Sequence, residues 1–432
     1  MRRTLISIGL MALLVLSAWP GGQKEAGKES LSGEVTFWQA YPEVNNVYQG
    51  YADEYMKQHP EAKVTLTLFT ARAFDDKLNT AMPAGTAGDI LEGWDGQLWP
   101  YISGGLIAKM PDDVLDYYHK SIMKMLQREK DIYGMPTFVG LKYLFWNKKW
   151  FKEKGLDRAP KTITEQMEFA RKLTIYDTAG NPEKAGLAFR VSGGGYGVAE
   201  KWWMKTLGPM GKAPIEVTGS GKWASNFDTP EVVASMQYYL DGLYKYKVDA
   251  FTIERDIAGF AKEKSAMCQK EAQAIPFLAD NAPNMDYGIG MMPSDKYSGT
   301  LAVVIANYVN EKCKNKALAW DVIKFFNTPD RHRNMFLKTG WNPVMNIDYE
   351  SVYKEKPIYK PLMVFPEGYG AYFYPINNSW AEIWPKTGEW LTKMYTRADL
   401  VNNRAELEKE CKAFSDQVNK ILEGNSEFAP KK

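Results

Sequence analysis

The feature that most constrains this chain is a repeated change of hydrophobic period near its start. Glu34-Val-Thr-Phe-Trp38 is rich in strand-forming residues, and a loop is expected over 39–46. Val44, Val47, Tyr51 and Tyr55 then recur at the spacing of one helical face, and His59-Pro60 ends that helix. Lys63-Val-Thr-Leu-Thr-Leu68 alternates strictly, as a strand with one buried face does. A second helix over 74–80 leads through Pro83-Ala-Gly-Thr-Ala-Gly88 into a short apolar strand, Asp89-Ile-Leu91. Strand, helix, strand, helix, strand predicts a parallel α/β sheet.

The alternation returns later. Thr162 with Glu165 three residues on is a capping box, and Met167, Ala170 and Leu173 supply the stripe behind it. Thr229-Pro230 reads as a cap followed by Pro in the first turn, with Val232, Met236, Leu240 and Leu243 on one face. Ala319, Trp320, Ile323 and Phe326 mark another helix, Thr328-Pro329 opens the next, and a last one spans 404–422. Trp202 and Trp203 point to different sides of a helix, so at least one belongs to the core. A length of 432 residues suggests two domains. No internal repeat or low-complexity linker separates them, so the boundary must lie within ordered chain.

Arg2 and Arg3 precede an apolar run from Leu5 to Leu16, with Ser17 and Ala18 as small residues for cleavage. Residues 1–18 therefore read as a secretory signal peptide and 19–32 as a flexible tether. No later segment has the roughly 18 consecutive apolar residues of a membrane helix. A net charge of +2 gives no overall pull toward nucleic acid. Cys268, Cys313 and Cys411 are widely spaced and form no CxxC pair, so buried thiols are expected rather than a zinc or redox motif. His59, His119 and His332 are scattered, which argues against a metal centre or a catalytic triad. No cofactor is expected.

In open α/β sheets, ligands sit on the loops after the strands. Here those loops carry Gln39 and Tyr41 after the first strand, and Trp94, Asp95 and Gln97 within Gly93-Trp-Asp-Gly-Gln97. Both loops put aromatic and polar groups side by side at a strand end, where rings can stack on a ligand and amides and carboxylates can meet its polar groups. Ser192-Gly-Gly-Gly-Tyr196 lacks the Lys-Ser/Thr of a phosphate loop and reads as a flexible cleft loop, with Tyr196 able to reach a ligand.

An ordered set of motifs resembles the family 1 extracellular solute-binding proteins of ABC importers, to which maltose-binding protein belongs. The set comprises Val35-Thr-Phe-Trp38, Ala84-Gly-Thr-Ala-Gly-Asp-Ile90, Gly104-Gly-Leu106, Tyr133-Gly-Met-Pro136 with Asn147-Lys148, and Pro160-Lys-Thr162. It continues with Phe260-Ala-Lys-Glu-Lys-Ser-Ala-Met267, Tyr287-Gly-Ile-Gly290, 317–326, Thr328-Pro329 and Gly340-Trp-Asn-Pro343. The resemblance implies a periplasmic-binding-protein-like type II fold: two α/β lobes, a hinge and a ligand cleft between them. On that pattern, 33–138 plus 302–336 form one lobe and 144–296 plus 340–432 the other. The crossings fall at 137–143, 294–301 and about 337–340.

The resemblance also implies a role at the cleft for the Trp94 loop, for Phe277 and Asp280, for Trp341 and Asn342, and for Tyr374 and Trp380. It implies a neutral carbohydrate ligand, a di- or oligosaccharide, captured without chemistry by lobe closure for membrane permease subunits, a monomer, and a place in the periplasm or on the extracytoplasmic surface. Many relatives carry a lipid-anchoring Cys after the apolar run. This chain has Trp19-Pro20 there, so a free protein is the literal reading. Alternatives are the same fold holding a polyamine or glycerol phosphate, a glycoside hydrolase with two carboxylates flanking the bond, or a surface adhesin.

Overall fold

The computed structural model describes residues 31–112, 118, 120–192 and 195–431. The signal-peptide reading, the tether up to residue 30, His119, and Gly193 and Gly194 of the cleft loop lie outside the described residues.

Strand β1 (Gly33–Gln39) pairs in parallel with both β2 (Ala62–Leu68) and β3 (Ile90–Trp94). Helix α1 (Pro42–Gln58) joins β1 to β2 and buries Val44, Val47, Tyr48, Tyr51 and Tyr55, the face its spacing predicts. Its expected leading loop shrinks to Ala40 and Tyr41, because Pro42 occupies a first-turn position where a missing N–H costs nothing. Helix α2 (Ala71–Ala84) returns to β3, and α3 (Asp95–Ser103) leaves β3 directly.

The other strands of the main sheet are β4 (Met135–Asn147), β5 (Met267–Glu271), β6 (Tyr287–Gly290), β7 (Gly299–Val309) and β8 (Gly370–Tyr372). The main sheet runs β5-β4-β7-β3-β1-β2, with β6 on β4 and β8 on β7. The parallel pattern stops at β3, since β7 is antiparallel to β3 and to β4. Every residue of β7 is buried, and its apolar run from Leu301 to Ala306 suits a strand covered on both faces.

Two long strands carry the sheet from one lobe to the other. Residues 135–141 of β4 pair with β7, next to β3, whereas residues 142–147 pair with β5 and β6. A third link follows α9 (Pro329–Thr339), where the Val139 N–H donates to the Asn342 carbonyl at 2.9 Å. Ser294 and Lys296 donate to the carbonyls of Lys161 and Pro209 before the chain enters β7.

The other helices used below are α4 (Ile163–Leu173), α5 (Gly195–Trp202), α6 (Pro230–Leu240), α7 (Ala274–Asn281), α8 (Lys316–Phe326), α10 (Trp380–Tyr395) and α11 (Arg404–Gly424). Thr162 accepts from the Glu165 N–H at 3.0 Å, but the Glu165 carboxylate turns to Lys161 and Arg158, so half of the expected box forms. Thr229 occupies its cap position without capping; its hydroxyl donates back to the Asn226 carbonyl at 2.8 Å. Tyr196 belongs to the first turn of α5 rather than to a loop. Trp202 and Trp203 are both core, at 0% and 1% exposure. The three cysteines are buried and unpaired. Among the described residues no helix is long and apolar enough to cross a membrane.

Candidate functional site

The turn from β3 into α3 sets the site. Trp94 ends the strand in extended conformation, and its indole folds over Gly96 so closely that a Cβ there would lie 2.0 Å from the ring. Only glycine permits that approach. The ring is thereby carried off the end of the sheet and out between the lobes. There it meets Tyr374 at 5.2 Å and Tyr196 at 5.8 Å between centroids, tilted and edge-on, as aromatic quadrupoles prefer.

These rings bound a cavity of about 190 Å³ lined by Ala40, Tyr41, Asp75, Trp94, Gln97, Tyr196, Glu200, Val303 and Tyr374. Tyr41 comes from the N-cap of α1, Gln97 from the first turn of α3, and Tyr196 and Glu200 from consecutive turns of α5. Gln97 donates its amide to Asp75 at 2.5 Å. Burial raises the Asp75 carboxyl above its ordinary range, with the Gln97 bond acting against that rise. The Tyr374 hydroxyl donates to Glu200 at 3.2 Å.

Glu200 is the outer member of a buried charge network. Its other oxygen lies 3.3 Å from the Lys142 ammonium on β4, which also pairs with Glu271 on β5. Lys270 reaches Asp256 at 3.2 Å and Glu271 at 3.8 Å, and Arg190 reaches Asp256 at 3.4 Å. Burial works against the Lys142 charge, but Glu200 and Glu271 outweigh it and hold the group above its ordinary value. Glu271 is held well below the carboxylate range: burial opposes this, and Lys142, Lys270 and Lys201 overcome it. The network fixes β4, β5 and α5 to one another directly beneath the cavity.

Of the residues expected from sequence, Tyr41, Trp94, Gln97, Tyr196 and Tyr374 are brought together. Seven others do not line the cavity. Gln39 is fully buried, in a row with Glu92 and Asn307 across β1, β3 and β7, and its amide has no partner among the described residues. Asp95 lies behind the Trp94 turn at 2% exposure, where burial pushes its carboxyl up to about 7. Trp341 packs against Phe138 at 4.9 Å and Tyr41 at 5.8 Å, forming support beneath the ring that does reach the cavity. Asn342 donates to the Tyr143 hydroxyl at 3.1 Å inside the third link. Trp380 stacks on Trp384 at 4.6 Å in the core of its lobe. Phe277 packs on the hydrophobic cluster around Phe260 and Leu278, and Asp280 on the same helix is exposed.

Asp75, Glu200, Ala40 and Val303 were not anticipated. Asp75 and Glu200 sit on helices, where a carboxylate reads as a solvated face. A usable signal existed for Glu200: Lys201 and Lys205 follow it around Trp202 and Trp203, and charges in such apolar company need buried partners. Among the described lining residues there is no Ser, Cys or His to act as a nucleophile or a ring base. Rings on both sides with amide and carboxylate between them suit reversible capture of a compact molecule with apolar and hydroxylated faces.

Two α/β lobes, long strands passing between them and a ring-lined cleft at the strand ends define a type II periplasmic-binding-protein fold. The chain belongs to the bacterial extracellular solute-binding protein family, whose model matches residues 41–331. It is similar to the galactooligosaccharide-binding protein of Bacillus subtilis (strain 168), with 27% identity over 168 residues, 38% of this chain and 39% of that one. The match thus spans about two-fifths of that relative. Among solved structures, maltose-bound T. maritima MalE3 superimposes with a TM-score of 0.76 at 18% identity, covering 90% of this chain and all (100%) of that one. An ABC transporter solute-binding protein from Thermotoga lettingae TMO, bound with alpha-D-tagatose, gives 0.75 at 20% identity over 90% and 100%.

Proposed function

We propose that this chain is the extracytoplasmic substrate-binding subunit of an ABC importer, capturing a neutral carbohydrate, a di- or oligosaccharide, and handing it to membrane permease subunits without altering it. The observation that carries the reading is the meeting of Trp94 from one lobe with Tyr196 and Tyr374 from the other around one cavity. A ligand inserted between those rings gains contact with both lobes at once, so binding favours closure. The relatives named above support the sugar class. The lobes in this reading are 33–138 plus 302–336 and 144–296 plus 340–432, with crossings at 137–143, 294–301 and about 337–340.

Neither cavity carboxylate is poised for hydrolysis, because Asp75 is tied to Gln97 and Glu200 to Lys142 and Tyr374. The Lys142 charge also offsets Glu200, so the cavity lacks the surplus of carboxylates that a polyamine requires. The test is a thermal-shift screen of the mature chain against sugars, polyamines and glycerol phosphate, followed by small-angle scattering. A sugar that raises the melting temperature and compacts the particle is expected. Stabilisation by spermidine alone, or release of reducing sugar, overturns the reading.

A further inference from the structure

At the far end of the buried charge network from Glu200, a small cavity of about 10 Å³ is bordered by Arg190, Lys201, Lys205, Asp256, Cys268 and Gln269. A single water-sized species fills such a volume. Lys201 lies in the last turn of α5, and Lys205 in the π-helical turn that continues it at Trp203–Leu207. Four residues apart, the two side chains come to the same side of the helix, and both reach the cavity. They are 4% and 2% exposed. Like charges so placed repel each other, and burial removes the water that would screen them.

Each ammonium has one hydrogen-bond acceptor, and it is neutral. Lys201 donates to the Gln269 carbonyl at 2.6 Å, and Lys205 to the Ala188 carbonyl beneath the Phe189 ring. Among the described residues neither forms an ion pair with a carboxylate. The carboxylates nearby are already committed, Asp256 to Lys270 and Arg190, and Glu271 to Lys142 and Lys270. Two N–H bonds on each ammonium therefore lack an acceptor. The Gln269 side chain, on β5 and 2% exposed, borders the same cavity with neither end of its amide partnered. Burial pushes the Cys268 thiol up to about 12, so it too keeps its proton and remains a donor.

We propose that this cavity binds one chloride ion, held by the Lys201 and Lys205 ammonium groups with the Gln269 amide and the Cys268 thiol donating to it. The volume excludes phosphate, sulfate and other polyatomic anions. Two buried ammonium groups without a carboxylate need a countercharge, which water does not supply. The second oxygen of Asp256 is also unpartnered and marks the rival occupant, since water would donate to it and chloride would not. The ion ties the helix that carries Tyr196 and Glu200 to β5 from behind the ligand cavity. No sugar enters the test, so the site stands apart from the carbohydrate reading.

The test is a set of thermal melts of the full mature chain in sodium chloride and in sodium gluconate at matched ionic strength. Burial, and then repulsion by Lys201, brings the Lys205 ammonium down to about 7, so melts at about pH 6 keep both groups charged. Chloride at about ten times its dissociation constant should raise the melting temperature by about 1–3 °C over gluconate, and Lys205→Met should abolish the difference. Wild-type crystals grown in sodium bromide should show one anomalous peak among Lys201, Lys205 and Gln269, which decides the matter where the variant fails to fold. Equal melts in the two salts, a chloride effect that survives Lys205→Met, or only water at that position overturns the proposal. A bromide peak without a chloride effect in solution marks an adventitious ion only and overturns it too.

Discussion

Tyr374 turns its ring to Trp94, 5.2 Å away across the cleft, while its hydroxyl is tied to Glu200. The phenol therefore cannot swing aside without breaking a bond to a carboxylate that Lys142 also holds. One wall of the cavity is thus rigid, and the other is an indole at the end of a strand. Trp94→Ala is expected to weaken saccharide binding about ten-fold or more, from lost stacking and lost burial. Its melting curve without ligand should match wild type, because Trp94 is only partly buried. Calorimetry beside circular dichroism checks both halves, and unchanged affinity removes Trp94 from the site.

The support beneath the cavity depends on charge balance. Lys142 is 2% exposed and sits between Glu200 and Glu271. Lys142→Met leaves two carboxylates facing each other with their common cation gone, and should cost about 3–5 kcal/mol in urea unfolding. Adding Glu271→Gln should recover part of that loss, since the second change removes one of the two carboxylates left facing each other. A double variant no more stable than the single one would show that Lys142 acts by packing instead.

What could be read from the sequence, and what could not, divides along physical lines. The stripe of α1 and the Thr328-Pro329 start of α9 depend on neighbours a few residues away, so period and capping chemistry sufficed. Tryptophans were harder. Trp94, Trp341 and Trp380 carry the same local signal, and what separates them is long-range: Trp94 meets Tyr196 and Tyr374, Trp341 packs on Phe138 and Gly140, and Trp380 packs on Trp203. The Gln39-Glu92-Asn307 row is likewise a product of strand register between β1, β3 and β7.

That row carries a pH dependence. Burial raises the Glu92 carboxyl from the ordinary 4.5 to about 8, so the folded chain keeps a proton that the unfolded chain releases. The stability this contributes is full below about 4.5 and is lost as pH rises through about 8. Glu92→Gln, which mimics the protonated form, should match wild type near pH 4 and exceed it by on the order of 3 kcal/mol at pH 7. Urea midpoints measured across that window check it. A constant difference between the two proteins at every pH would rule out Glu92 as the titrating group.

Gly340 and Gly50 should respond to the same substitution with opposite signs. Gly340 ends α9 in the left-handed region at φ 77°, and a Cβ there would lie 2.5 Å from the Ala272 carbonyl oxygen. Alanine at that position carries backbone strain of about 1–3 kcal/mol before the overlap is counted. The overlap falls on main chain at the third link, where neither partner can rotate away. Gly50 lies on the exposed face in the middle of α1, with nothing within 4 Å of its Cβ position. Gly50→Ala removes unfolded-state freedom and meets no obstacle, so it should stabilise by about 0.5–1 kcal/mol. Denaturation of the two variants side by side tests the assignment of Gly340 to a strained link. If Gly340→Ala is as mild as Gly50→Ala, the close approach of the link to Ala272 is not maintained in solution.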